Sequence, residues 1–362
     1  MNTRIDEATV ELSISPENQS LIESRIRMQD PVPESPEDAI LQVEHLKMYF
    51  PVTKGLLKRK IADVKAVDDI SFTVRRGETL GIVGESGSGK TTIGNCVMGN
   101  CAITDGRILF DGVDLGQQSE RQLRTIHKQL QMITQDPFKS LNPRMKISDA
   151  ILEGPRVQKT VGSKQEQRDL VGQMLEMVGL NPKFADRYPH EFSGGQRQRI
   201  SIARALALHP SFIICDEIVS ALDVSIQAQI VNLMIDIQRN LGLTYIFIGH
   251  DLSVVRHISN QVAVMYLGKL VELTGSDEMY ERPLHPYTQA LISAAPIPSP
   301  TADRARQRIL LEGEVPSPID PPKGCHFCTR CVYADARCRE EEPLLTDVGG
   351  GHFVACHKVA GV

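Results

Sequence analysis

Gly84-Glu85-Ser86-Gly87-Ser88-Gly89-Lys90-Thr91 fits the pattern G-x-x-x-x-G-K-[ST]. Glycines at 84, 87 and 89 let successive backbone N–H groups turn inward on phosphate oxygens with no Cβ in the way. Before it stands Thr79-Leu80-Gly81-Ile82-Val83, apolar and strand-sized; after it, Thr91 and Thr92 open a helix-compatible run to Met98. Strand, loop and helix in that order are the context a phosphate loop requires. Lys90 is then placed to reach the β- and γ-phosphates, Thr91 to present a hydroxyl to Mg²⁺, and the helix to aim its positive end at the anion. An α/β core follows.

The 362 residues can bury one large core and a smaller appendage, and 41% hydrophobic with 23% charged residues is ordinary for a globular protein. The longest apolar runs, such as Tyr245-Ile246-Phe247-Ile248, are strand-sized, far short of the roughly 20 residues that cross a bilayer. Any membrane role is expected to come through a partner. No basic start precedes an apolar block at the N-terminus, so a reducing cytoplasm is the expected compartment. A net charge of −5 argues against general nucleic-acid binding.

Residues 1–38 are polar, carry Pro31, Pro33 and Pro36, and predict a flexible leader. Ile40-Leu41-Gln42-Val43 and Ile70-Ser71-Phe72-Thr73-Val74 alternate as antiparallel strands of a small sheet. The Lys- and Arg-rich stretch from Lys54 to Lys65 predicts an exposed loop. A helical pattern runs from Ser148 to Leu208, with Val171, Met174, Leu175 and Val178 on one face, and predicts an inserted helical subdomain over about 140–208. Phe212-Ile213-Ile214-Cys215 and Thr244–Ile248 are continuous apolar runs, as in parallel strands covered on both faces. After Gly275 proline content rises, through Pro283, Pro286, Pro296, Pro298 and Pro300, into a cysteine-rich tail expected as a separate unit.

Asp216 closes the strand 213–215, where a carboxylate can hold Mg²⁺ through water, and Glu217 beside it can orient or deprotonate the attacking water. Ser193-Gly194-Gly195-Gln196 has the spacing of a capping box, and its two glycines expose N–H groups at a second helix N-terminus.

The order of these segments, with Gln135, Phe192 before the capping box, Ser220-Ala221-Leu222-Asp223 and His250, resembles an ABC-transporter ATPase subunit over about residues 39–275. The resemblance implies a P-loop NTPase (RecA-like) core with an antiparallel β subdomain and a head-to-tail dimer. In it Lys90, Asp216, Glu217 and His250 of one subunit act with Ser193, Gly194 and Gly195 of the other. It further implies that Gln135 touches Mg²⁺ and the attacking water, that His250 contacts the γ-phosphate, that Asp223 lies at the dimer seam, and that an aromatic, Phe50 or its neighbour Tyr49, stacks on adenine. Ile218 departs from the family's usual proline, which frees the backbone beside Glu217 and predicts slower hydrolysis; Phe192 departs from the commoner leucine.

Five of the eight cysteines cluster at Cys325, Cys328, Cys331, Cys338 and Cys356, which in a reducing compartment points to zinc or an iron–sulfur cluster, spacing alone leaving the metal open. Pro283-Leu284-His285-Pro286-Tyr287-Thr288 with Gly324-Cys325-His326-Phe327 and Arg330-Cys331 resembles the C-terminal extension of oligopeptide and dipeptide importer ATPases, here 276–362. That resemblance implies a [4Fe-4S] ligand set of Cys325, Cys331, Cys338 and Cys356, with Cys328 extra. It implies ATP hydrolysis at the cytoplasmic face of the inner membrane, two permease subunits docked near Gln135 and Ser140–Met145, a sister or identical ATPase, and a substrate-binding protein reached through the permease. A nickel chelate is an alternative cargo. A soluble ABC ATPase working on nucleic acid or ribosomes shares the phosphate motifs, but the chain has one phosphate loop and no sustained heptads.

Overall fold

The computed structural model describes residues 38–55, 59–136, 140–295 and 308–359. The expected leader lies outside them except for Asp38, as do Pro296, Pro298 and Pro300. Strands β1 (Ala39–Lys54) and β2 (Arg59–Arg75) pair antiparallel, Leu41 opposite Val74 and Val43 opposite Phe72. The chain then passes through β3 (Thr79–Val83) and α1 (Lys90–Val97) before β4 (Asp105–Phe110) joins the other edge of β1 and β5 (Val113–Asp114) follows. Leu41, Val43, Phe72 and Val74 are buried with Ile108 and Phe110, so alternation set this sheet's inner face.

Lys54 and residues 59–65 depart from the expected loop. Pro51 faces Asp63, Thr53 faces Lys60 and Lys54 faces Arg59, so the hairpin continues outward as a two-stranded ribbon. Backbone ladder bonds form whatever the side chains carry, and a ribbon wet on both faces needs no apolar alternation. Ile61 is accordingly exposed and Lys60 pairs with Asp63 at 2.7 Å.

The second sheet collects β3 with β6 (Leu130–Ile133), which follows α2 (Glu120–Ile126). The α-helices α3 (Ile147–Val157), α4 (Lys164–Met177) and α5 (Gly194–Leu206) come next. Then β7 (Phe212–Asp216), α6 (Val224–Leu241), β8 (Thr244–Ile248), α7 (Leu252–Ile258), β9 (Gln261–Tyr266) and β10 (Lys269–Gly275) follow. Strands β9-β3-β8-β7-β6 are parallel, and every residue of β3, β7 and β8 is buried. Because β3 lies between β9 and β8, the loop leaving it emerges at the middle of the sheet's carboxyl edge. In the helical region Val171, Met174, Leu175 and Val178 are buried together, and Ser163 caps α4 with Glu166.

Residues after Gly275 return to this sheet. α8 (Ser276–Glu281), α9 (Pro286–Ala294) and α10 (Ala336–Glu340) precede β11 (Thr346–Asp347) and β12 (Phe353–Val354). β12 pairs with β10, Val354 opposite Glu272, and Ala355 N–H donates to Val271 O at 2.9 Å. Buried Glu272 accepts from the Leu284 and His285 N–H groups and meets His352 Nε2 at 2.7 Å. Among the described residues no helix is long and apolar enough to cross a membrane.

Candidate active site

The phosphate loop is tight enough to require glycine. Gly84 has φ +153° and Gly89 φ +105°; a Cβ would overlap the Met265 carbonyl oxygen at the first and the Ala66 carbonyl oxygen at the second. Ser86 and Gly87 form the exposed crest, with Glu85 and Thr92 half-buried to either side. Ser88 is buried with its Oγ unpartnered among the described residues, and its carbonyl accepts from Gly268 N–H at 3.0 Å. Buried Lys90 donates to Gly84 O and Glu85 O, both at 2.9 Å. Burial lowers its pKa, against Glu217, Asp216 and Glu85, which favour the charged form.

Thr91 Oγ1 donates to Asp216 Oδ1 at 3.0 Å, joining the start of α1 to the end of β7. Burial raises the Asp216 carboxyl and Glu217 adds to it, while the Thr91 hydrogen bond opposes. A cation at this point would relieve both repulsion and desolvation, and Asp216 with Thr91 are oxygen donors of the kind Mg²⁺ takes. Glu217 stands in the left-handed region at φ 48°, its N–H donating to Ile248 O at 3.0 Å. Gln135 Nε2 donates to Glu217 Oε2 at 2.7 Å, and His250 Nδ1 lies 4.0 Å from the same oxygen. Ser220, unremarked as a separate group in the sequence, donates to Glu217 O at 2.9 Å and lies 3.5 Å from Gln135 Nε2. Glu217, Ser220, Gly249 and His250 line a cavity of about 330 Å³.

The Ser193–Gln196 segment forms a capping box on α5: Ser193 Oγ accepts from Gln196 N–H at 3.4 Å and Gln196 Oε1 from Ser193 N–H at 3.1 Å. Ser193 is exposed, and Gly195 packs so closely on α6 that a Cβ would lie 2.6 Å from Ile226 Cγ2. Asp223 is the exposed N-cap residue of α6. Phe50 is 41% exposed on β1 opposite Val64; Tyr49 is instead tied by its hydroxyl to Asp68.

Comparison with known proteins places this geometry. The family described as ABC transporter matches residues 67–220, and that described as oligopeptide/dipeptide transporter, C-terminal region, matches 271–338. The chain is 54% identical to the oligopeptide transport ATP-binding protein AppF of Bacillus subtilis strain 168, over 89% of this chain and 98% of the relative. It is 50% identical to the oligopeptide transport ATP-binding protein OppF of Haemophilus influenzae, over 89% and 98%. The chain belongs to the oligopeptide-transport branch of the ABC transporter ATP-binding proteins. Among solved structures, cbiO1 from Clostridium perfringens, part of the ABC transporter complex cbiONQ, is 27% identical with a TM-score of 0.59, covering 68% of this chain and 92% of that one. The ATP-binding cassette MJ0796, dimeric and bound to ADP and Pi, shares the fold with a TM-score of 0.58 at 24% identity, covering 65% and 98%.

Both departures from the ABC ATPase pattern are absorbed by packing. Ile218 is buried in the core beside Glu217, so side-chain burial restrains the backbone where a proline ring would otherwise do so. Phe192 is buried edge-on to Phe184 at 5.6 Å.

Five cysteines of this ABC ATPase converge in the C-terminal region. Cys325 N–H donates to Cys338 O at 2.8 Å and Cys328 N–H to Cys325 O at 3.0 Å. The Cys325 thiol is within electrostatic range of Cys356, Cys328 and Cys331, and Cys356 of Cys331 and Cys338. Soft sulfur donors suit a thiolate-ligated metal in kind. Their arrangement does not: among the described residues no group of three or more His, Cys, Asp or Glu side chains is placed to hold a metal ion. The expected [4Fe-4S] ligand set, Cys325, Cys331, Cys338 and Cys356, therefore finds no support in the geometry of the described residues. Burial pushes the thiol of Cys325 up to about 12 and that of Cys356 up to about 11, so both carry their protons when no positive charge stands beside them.

Two residues of the C-terminal region that reach the phosphate loop went unassigned in the sequence. Tyr287 and Arg330 both touch Glu85. The aromatic within a proline-rich stretch and the lone arginine between cysteines were the available signals, but neither names its partner.

Proposed function

We propose that the protein hydrolyses ATP to drive a membrane importer of di- or oligopeptides. The observation that carries the reading is the meeting of Gln135, Glu217 and His250 at one carboxylate oxygen beside the Lys90–Thr91–Asp216 cluster, in a chain that also carries the oligopeptide C-terminal region. Residues 84–92 cradle the triphosphate, the backbone N–H groups other than that of Glu85, which Tyr287 holds, facing the phosphates, and Lys90 leaves its own loop's carbonyls to bind it. Thr91 and Asp216, with Gln135, would hold Mg²⁺, which when bound would neutralise phosphate charge. Glu217 takes the proton of the attacking water or orients it; His250 holds Glu217 and faces the γ-phosphate; Gln135 steadies the same carboxylate. Phe50 is the adenine platform, because it is exposed and its strand partner Val64 lies two residues before Ala66, which abuts Gly89.

Ser193, Gly194, Gly195 and Gln196 serve the nucleotide of a facing subunit, with Asp223 at the seam, a reading supported by the exposure of Ser193 and Asp223. We take that subunit to be a sister ATPase. Two permease subunits dock near Gln135 and Ser140–Met145, a substrate-binding protein delivers cargo to them, and the assembly places this chain at the cytoplasmic membrane face. The test is reconstitution with permease, sister ATPase and binding protein in vesicles: peptide uptake that requires ATP and fails in Glu217→Gln supports the reading, and uptake indifferent to that substitution defeats it.

The converged thiols favour a second reading of the tail, as a sulfur-ligated metal module. Iron, zinc and acid-labile sulfide assays on anaerobically purified protein decide it: iron with sulfide supports a cluster at Cys325, Cys331, Cys338 and Cys356, zinc alone supports a structural zinc site, and no metal leaves a reduced thiol cap.

A further inference from the structure

Glu85, the second residue of the phosphate loop, is held from outside that loop by two residues of the C-terminal region. Its backbone N–H donates to Tyr287 Oη at 2.9 Å, and its carboxylate oxygens accept from Arg330 Nη1 at 3.1 and 2.9 Å. Arg330 follows Glu85 by 245 residues and sits between Cys328 and Cys331. This is no surface pair, because the Arg330 side chain is only 9% exposed. Its guanidinium lies 5.9 Å from the Tyr266 ring centre, and Tyr266, Tyr287 and Phe327 pack on one another with centroids 4.7 to 5.4 Å apart. The aromatic cluster therefore fixes both groups that grip Glu85.

The grip acts on phosphate-binding parts. Glu85 O is one of the two carbonyls that hold the Lys90 ammonium, and the Glu85 side chain belongs to the charges around it. The other carbonyl is Gly84 O, which shares a rigid peptide plane with the Glu85 N–H that Tyr287 holds, so turning that peptide would turn a Lys90 acceptor with it. By contrast, Gln135, Glu217 and His250 stand on other strands and loops and have no bond to Arg330 or Tyr287 among the described residues.

We propose that Arg330 and Tyr287 are positioning residues for nucleotide binding: by fixing Glu85 they hold the phosphate loop in its binding shape, so the cysteine-bearing C-terminal region sets the affinity of the ATP site. This rests on residues 84–91 being that site. A loop already ordered loses less entropy on binding, so releasing it weakens affinity while leaving the chemical step alone. One nitrogen of Arg330, Nη1, reaches both carboxylate oxygens, a point contact that a lysine ammonium can imitate only in part because its stem is shorter and its charge more strongly hydrated.

The test measures MgATP binding and steady-state hydrolysis on the full chain for Arg330→Gln, Arg330→Lys, Glu85→Gln, the Glu85→Gln/Arg330→Gln pair, Tyr287→Phe and Lys90→Ala. Arg330→Gln is expected to raise Kd and KM about tenfold, with kcat within about twofold. Arg330→Lys should recover part of that loss. Glu85→Gln should weaken binding comparably, and the pair no more than the worse single change. Tyr287→Phe removes only a hydroxyl, keeps the packed ring, and is expected to raise Kd about threefold, which keeps the test open if Arg330→Gln fails to fold. Unchanged Kd in Tyr287→Phe and in a folded Arg330 variant would overturn the proposal, as would additive losses in the pair or a fall in kcat at constant KM. Lys90→Ala separates the two levels: if it binds MgATP like the native chain, the ATP-site reading itself has failed.

Discussion

The helix N-termini at Lys90 and Gly194 both have glycine at their start, and they are built in opposite ways. At α1 the glycines are pressed against Met265 and Ala66, Lys90 is buried, and Asp216 and Glu217 close in from the neighbouring strand. At α5 the Ser193 and Gln196 side chains cap each other, Ser193 faces solvent, and the turn rests on Ile226. One end has cation, metal donors and base assembled within a single chain. The other has dipole and donors alone, which fits the half-site proposed above, acting on charge brought to it by a second molecule.

The sharpest way to break this contrast is to remove charge from the first end. Glu217→Gln is expected to cut kcat about 10²- to 10⁴-fold while MgATP binding persists, measured by phosphate release and equilibrium binding. Loss of binding instead would make Glu217 part of the cradle. Next in size, Gly195→Ala should force Ile226 aside and cost roughly 1–3 kcal/mol of stability by denaturant titration. It should lower hydrolysis in the assembled transporter and leave MgATP affinity of the lone chain unchanged; equal loss in both would place the two ends in one intrachain site.

Acid should separate the ends further. Burial lowers His285 from 6.5 to about 4, its Nδ1 accepting from Tyr287 N–H at the start of α9. A neutral form favoured by folding contributes stability that is complete above pH 6.5 and falls as pH drops towards 4. Between pH 7 and 5 we expect a loss of about 2 kcal/mol, flattened in His285→Asn, which keeps a capping side chain without titrating. The α5 cap has no titrating member, and its own effect is the smallest: Ser193→Ala should cost about 1 kcal/mol in thermal unfolding.

What could be read in the residue order was local. Residues 84–91, 193–196 and 216–217 each carry their chemistry within a few positions, and the continuous apolar runs at 212–215 and 244–248 announce strands covered on both faces. The misread ribbon at Lys54 and 59–65 shows the limit from one side: its pairing rests on backbone bonds alone, so Lys54 opposite Arg59 carries no pattern. Arg330 on Glu85 shows it from the other, since nothing near either residue specifies a partner 245 positions away. Gln135 and His250 became legible only by resemblance, and their meeting at Glu217 needed β6, β7 and β8 laid side by side.

The short pairing of β12 with β10 has a bearing on solubility. Val271, Leu273 and their neighbours in β10 are buried, and on the side away from β9 their backbone groups are satisfied only by Val354, Phe353 and Ala355 among the described residues. A chain ended at Gly275 would keep its phosphate loop yet present an apolar open edge, a template for another copy's strand. The tail is thus also a guard against edge-to-edge aggregation, and self-association would be the first sign of its removal.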